Sequence, residues 1–263
     1  MIDGWPKPPR ERRPYGQAAR LGLIVPTTNT VNEAEWGAAL PDGVTMHVAR
    51  MALHTDTRSD AGKAALERDI AVAARSLADA EVDVIAYGCT AGSLTLPLDV
   101  VPDMIARATG LPGVATAPSL VRALRVLGAA RVAVATPYDA GMNEHERVFL
   151  EACGIVVVAI EGLGAGERAA FRRIHLLTAG EVGALATRVT SSVPGGAYDA
   201  LVLSCTDLPT LGLHEELEEA LGKPVVSSNQ ATLWAALRAA GVQGGWGRLS
   251  VPGLTRRSPA SAR

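Results

Sequence analysis

Eight residues, Asp83-Val-Ile-Ala-Tyr-Gly-Cys89-Thr90, return without a gap as Asp199-Ala-Leu-Val-Leu-Ser-Cys205-Thr206, so that Asp, Cys and Thr recur 116 positions apart. A weaker echo follows at nearly the same offset, Leu111-Pro112 with Ala123-Leu124 against Lys223-Pro224 with Ala236-Leu237. A repeat longer than about 100 residues exceeds any solenoid period, so it predicts two duplicated lobes related by a pseudo-twofold axis rather than an array.

Within each half, short apolar runs alternate with longer helical stretches. Strands are expected at Leu21 to Val25, Val44 to Arg50, Val82 to Tyr87 and Gly113 to Thr116, with helices at Thr30 to Leu40, Ala61 to Ala80, Val100 to Thr109 and Ser119 to Leu127. The second half repeats the pattern with strands at Arg131 to Ala135, Ile155 to Ile160, Ala200 to Leu203 and Val225-Val226. Its helices are expected near Asn143 to Ala152, from Thr178 onward, at His214 to Leu221 and at Ala231 to Ala240. Thr30 with Glu33 and Thr178 with Glu181 have capping-box spacing. Strands separated by helices pair in parallel through right-handed crossovers. The expected fold is therefore α/β: two pseudo-twofold-related lobes, each a mainly parallel four-stranded sheet flanked by helices, with the active site in the cleft between them. The lobes would span 19–128 and 129–249, with loose tails at 1–18 and 250–263.

Composition narrows the function. Against 25 Lys and Arg stand 27 Asp and Glu, a formal net charge of −2, which leaves no basic field for nucleic acid or an anionic membrane. Aromatics are only 4%, which suits helices packed on buried parallel strands better than an aromatic-rich β-sandwich. No apolar run reaches the roughly 18 residues of a membrane span, and the Pro- and Arg-rich first 18 residues lack a signal-peptide core. Cys89, Cys153 and Cys205 cannot all pair within the chain, so they read as thiols in a reducing, cytoplasmic compartment.

Each repeat sets its cysteine directly after a buried strand, at the carboxyl edge from which α/β sheets present reactive groups. A lone cysteine there would equally suit core packing. Repetition of Cys-Thr at the same edge has no packing rationale and marks Cys89 and Cys205 as functional. Thr90-Ala91-Gly92-Ser93 leaves backbone N–H groups to hold a carboxylate, and the same field is expected to lower the Cys89 pKa. Cys153 reads as structural. Gly162-Leu-Gly164-Ala-Gly166 lacks the acidic partner of a dinucleotide site, and His47, His54, His145, His175 and His214 show no metal-ligand spacing, so no cofactor is expected. Asp207 suits either orientation of a proton transfer or a helix cap.

These cysteines sit among stretches that resemble the aspartate/glutamate racemase superfamily, in its branch of maleate cis-trans isomerases and arylmalonate decarboxylases. The stretches are Gly22-Leu-Ile-Val-Pro-Thr-Thr-Asn29-Thr, Tyr87-Gly-Cys89-Thr90, Ala135-Thr-Pro-Tyr138, Leu203-Ser-Cys205-Thr206 and Pro224-Val-Val-Ser-Ser-Asn229, over residues 19 to 247. The resemblance implies that Cys89 is the nucleophile and Cys205 the proton donor and acceptor. It also implies that Asn29 and Tyr138 bind substrate carboxylates. Thr90, Thr206, Ser228 and Asn229 are expected as further substrate contacts. Asn and Tyr donate hydrogen bonds without adding charge, which suits a carboxylate whose electrons delocalise as an enediolate. The decarboxylase branch keeps only the second cysteine, so Cys89 argues against that activity. Thr90, Gly92 and Ser93 also depart from the apolar residues that follow the first cysteine in isomerases.

The expected function is cofactor-independent cis-trans isomerisation of a maleate-like small dicarboxylate. Racemisation or decarboxylation on the same scaffold is the alternative, and a two-lobed carboxylate-binding protein without turnover is a third reading. The expected partner is a small carboxylate or dicarboxylate, with self-association as a homo-oligomer left open.

Overall fold

The computed structural model describes residues 9–10, 13–57, 59–166, 168–243 and 249. The first half runs β1 (Ala19–Pro26), α1 (Val31–Ala39), β2 (Val44–Met51), α2 (Asp60–Asp79), β3 (Val84–Tyr87), α3 (Thr90–Ser93), α4 (Val100–Thr109), β4 (Gly113–Ala115) and α5 (Thr116–Val126). The second runs β5 (Arg131–Tyr138), α6 (Ala140–Ala152), β6 (Val156–Ala165), α7 (Arg168–Phe171), α8 (Ala179–Ser191), β7 (Ala200–Leu203), α9 (His214–Leu221), β8 (Val225–Ser227) and α10 (Ser228–Ala239), with a 3₁₀ turn at Ile174–Leu176.

The two four-stranded sheets have the orders β2-β1-β3-β4 and β6-β5-β7-β8, the same order shifted by four strands, and every pairing is parallel. The predicted duplication is thus the architecture. Central strands β3 and β7 are fully buried, as Val-Ile-Ala-Tyr and Ala-Leu-Val-Leu require of strands covered on both faces. The repeated aspartates pin the strand starts: Asp83 accepts from the Arg20 N–H at 2.8 Å, and Asp199 accepts from those of Ala130 and Arg131 at 2.9 and 2.8 Å. Their recurrence is therefore structural.

Helices α5 and α10 pack against each other and against both sheets. One apolar cluster runs through them, from Leu21, Leu23 and Ala86 of the first sheet to Val132, Val134 and Val202 of the second. Burying each such Leu or Val is worth about 1.5–3 kcal/mol, so the central layer welds the lobes together.

Two local expectations change. Thr30 makes no side-chain cap and Glu33 pairs instead with Arg50; Asn29 caps α1 through Oδ1, which accepts from Val31 and Asn32 at 3.1 and 3.0 Å. The Asn side chain, one bond longer than that of Thr, reaches these donors from one residue earlier, whereas the box at Thr178 and Glu181 forms in full. The tail expected to be loose is anchored at Arg13, whose buried guanidinium pairs with Asp83 at 3.0 Å. Residues 250–263 lie outside the described residues.

Candidate active site

In a parallel sheet of order 2-1-3-4, the chain departs in opposite directions after β1 and β3, which opens a crevice at their carboxyl ends. Asn29 follows β1 and Cys89 follows β3; in the second sheet Tyr138 ends β5 and Cys205 follows β7. The two crevices face each other, and one cleft is lined by Asn29, Cys89, Thr90, Tyr138, Cys205 and Thr206. Six expected site residues thus meet at one place.

Ser228 and Asn229 do not line it. Both are fully buried at the start of α10. Ser228 Oγ accepts from the Cys205 N–H at 3.1 Å and from Thr90 Oγ1 at 2.9 Å, so it ties the two cysteine loops together. This bond restrains Cys205, which has φ of 150°, a strained value for a residue with a side chain. Asn229 Nδ2 donates to Glu35 Oε2 at 2.7 Å, and Glu35 also accepts from the Leu211 N–H at 2.7 Å and from Thr210. The polar Ser-Ser-Asn run is thus spent on positioning, because the helix start faces the interlobe layer instead of the cleft.

Asn29 and Thr206 are coupled. Asn29 Nδ2 donates to Thr206 Oγ1 at 3.0 Å, and Thr206 Oγ1 donates to the Gly88 carbonyl at 3.1 Å. With its Oδ1 capping α1, Asn29 keeps only its second amide hydrogen for a ligand.

The sulfurs have matching environments. Cys89 is the N-cap of α3 and its Sγ accepts from the Gly92 N–H at 3.4 Å, while Cys205 Sγ accepts from the Asp207 N–H at 3.4 Å. Each also has a tyrosine hydroxyl that favours its ionised form, Tyr87 for Cys89 and Tyr138 for Cys205. A Cβ at position 92 would lie 2.2 Å from the Tyr87 hydroxyl, so that contact requires glycine. A Cβ at 162 would lie 2.0 Å from the Tyr138 carbonyl, which gives the Gly162 run a steric reason to exist.

These donors do not win. Burial pushes both thiols above the ordinary cysteine range, and the Asp207 carboxylate pushes them in the same direction. The expected lowering at Cys89 is therefore corrected: α3 is one turn long, and its N–H and the Tyr87 hydroxyl offset less than desolvation costs.

Several cleft residues escaped the sequence reading. Leu53, His54, Thr55 and Thr57 come from the loop after β2, and His54 Nε2 is held by Asp69 at 2.8 Å. Met142, Phe171 and Ile174 form an apolar wall. Asp207 lines the floor, its Oδ1 accepting from the Thr30 N–H at 3.1 Å and its Oδ2 lying 3.7 Å from His175 Nδ1. Burial raises its pKa to about 6. Both alternatives for Asp207 were local, and the cap it makes is on a helix of the other lobe. Cys153 does not line the cleft; it ends α6. Among the described residues no group of three or more His, Cys, Asp or Glu is placed to hold a metal ion, and no helix is long and apolar enough to cross a membrane.

Two α/β lobes that each offer a thiol to one cleft, ringed by hydroxyl and amide groups, define a cysteine-dependent enzyme of small molecules. The chain belongs to the arylmalonate decarboxylase family, whose model matches residues 21–249. Arylmalonate decarboxylase of Bordetella bronchiseptica is 37% identical over 146 residues, which are 54% of this chain and 59% of that enzyme. Maleate isomerase of Nocardia farcinica is 30% identical over 250 residues, 90% of this chain and 94% of that enzyme. A cysteine-to-serine variant of the Nocardia farcinica maleate cis-trans isomerase, solved with a covalently bound succinylcysteine intermediate, matches with a TM-score of 0.74. Identity there is 26%, over 88% of this chain and 97% of that one.

Proposed function

We propose that this protein is a cytoplasmic cis-trans isomerase of a maleate-like small dicarboxylate that works by covalent addition of Cys89 and needs no cofactor. The observation that carries the reading is the pair of thiols presented to one cleft from the crevices of two sheets, residues 19–128 supplying Cys89 and 129–249 supplying Cys205. A succinylcysteine is the adduct expected when a cysteine sulfur adds across the maleate double bond, and the Nocardia farcinica isomerase carries one.

The Cys89 sulfur gives up its proton as it bonds to one alkene carbon, and the π electrons move onto the far carboxylate as an enediolate. Backbone N–H groups at the start of α3, which have no intrahelical acceptor, and the second amide hydrogen of Asn29 grip the carboxylates. Tyr138 stabilises the enediolate. The former double bond is now single and rotates, and expulsion of Cys89 releases the trans product. Cys205, held as a thiol by burial, handles proton exchange at the neighbouring carbon.

The family name favours decarboxylation as the second reading, in which a single thiol protonates an enediolate after CO₂ loss. Cys89 has no task in that reaction. Incubation with maleate, with aspartate and with an arylmalonate in deuterated water, followed by proton NMR, separates the three chemistries. Fumarate from maleate is the expected product; CO₂ loss from the arylmalonate or α-deuteration of aspartate, without fumarate, would overturn the proposal.

A further inference from the structure

With both thiols pushed above neutrality, nucleophilic sulfur has to be made at the moment of attack, so the cleft must contain a base. Its lining offers three candidates, Asp139, Asp207 and His54. Asp139 is committed as the N-cap of α6, accepting from the Met142 N–H at 2.9 Å. His54 Nε2 is already engaged by Asp69 Oδ2 at 2.8 Å. Asp207 lines the same cleft as Cys89 and Cys205 and its backbone N–H bonds Cys205 Sγ at 3.4 Å, and of the three its carboxylate is the one that raises the pKa of both thiols.

We infer that Asp207 is the cleft base that takes the Cys89 proton during addition and returns it during elimination, with His175 tuning its basicity; the inference rests on the covalent-addition reading above. In the forward step the S–H bond breaks, its proton goes to an Asp207 oxygen, the sulfur pair forms the C–S bond and the π pair becomes the enediolate. Elimination reverses each transfer, so Asp207 is again a carboxylate at the end of the cycle. No other reactant is required.

The surroundings of Asp207 fit a base that switches near neutrality. Facing it are Cys205 from its own loop, Cys89 from the N-cap of α3, the Thr30 and Val31 N–H groups of α1, and His175 from the Ile174–Leu176 turn. Burial raises its pKa to about 6, and the helix N–H groups and His175 limit the rise. At pH 7 most molecules therefore carry the charged, proton-accepting form, and the proton is held loosely enough to be returned.

The test uses Asp207→Asn, which keeps an oxygen for the Thr30 N–H but cannot accept the proton. Two measurements should move in opposite directions. Removing the negative charge lets the thiols ionise more readily, so iodoacetamide alkylation of Cys89 at pH 7 should speed up about 3- to 10-fold. Removing the base should lower kcat for maleate about 10²-fold or more and erase the acidic limb of the pH–rate profile near pH 6. Turnover that rises with alkylation, or stays within about 3-fold of wild type, would overturn the inference, because Asp207 would then act only by holding the thiols protonated.

His175→Gln is the second variant. Losing a group that lowers the Asp207 pKa should move the acidic limb to higher pH while leaving the plateau kcat within about 3-fold, and an unmoved limb would count against the assignment. The alkylation arm involves no substrate. A wild-type protein inert towards maleate would defeat the isomerase reading, whereas an unchanged alkylation rate in Asp207→Asn would defeat the placement of the base.

Discussion

The Thr232 hydroxyl donates to the Thr116 hydroxyl at 3.1 Å, joining two residues separated by the same 116 positions as the two cleft cysteines. Thr116 in turn donates to the Tyr87 carbonyl at 3.1 Å, in the strand that leads to Cys89. Equivalent positions of the repeat thus meet between α5 and α10, and this interlobe layer is bonded directly to the strand that leads to Cys89.

This contact predicts non-additive energetics. Thr232→Val removes a buried donor and should cost about 1 kcal/mol in urea unfolding. Thr116→Val should cost about 1–3 kcal/mol, because it leaves the buried Tyr87 carbonyl without that donor, while the Thr232 hydroxyl retains the Ser228 carbonyl at 2.7 Å. The double variant should be more stable than the sum of the two losses implies; strict additivity would mean that the hydroxyls do not interact.

Tyr87 should control how readily Cys89 ionises. Its hydroxyl lowers the Cys89 pKa, so Tyr87→Phe should raise it and slow Cys89 alkylation at pH 7 about 3- to 10-fold, with Cys153 unaffected as the internal control. Gly92→Ala should act in the same direction, because the new methyl would displace that hydroxyl. Equal rates in all three proteins would remove Tyr87 from the sulfur's environment.

Glu146 on α6 is fully buried, with no hydrogen-bond partner for either carboxyl oxygen among the described residues, although the Ser204 hydroxyl partly favours its charged form. Burial raises its pKa from 4.5 to about 7. Between those values the folded protein binds a proton that the unfolded chain has released, so stability is highest below about pH 4.5 as far as this group is concerned and is lost as pH rises through 7. The swing is about 2–4 kcal/mol. Denaturant unfolding across pH 5 to 8 should show it in the wild type and a flatter curve in Glu146→Gln, and parallel curves would contradict it.

The duplication, the alternation of strands and helices within each lobe and the placement of both cysteines were legible because they rest on local signals: a repeated octapeptide, period and turn residues. Asn29 and Tyr138 were picked out through family resemblance and Thr90 and Thr206 through their place after the cysteines, and the cleft is lined by all four. Ser228 and Asn229 misled because a polar run at a strand end looks the same whether it faces a cleft or the partner lobe. The protonation of Cys89 was misjudged because sequence shows the helix start but not the depth of burial that opposes it. Asp207 was noticed beside Cys205, but its contacts with Thr30 and His175, like the burial of Glu146, depend on neighbours far away in the chain that no local pattern announces.

Covalent addition of Cys89 is the step on which the account depends. Cys205→Ser keeps the nucleophile and removes the thiol that handles protons, so an adduct should accumulate when this variant is mixed with maleate and quenched in acid. Intact-mass spectrometry is expected to show the mass of one added maleic acid, and peptide mapping to place it on Cys89, with none formed in Cys89→Ser. An adduct on Cys153, or no adduct while fumarate still forms, would contradict the mechanism.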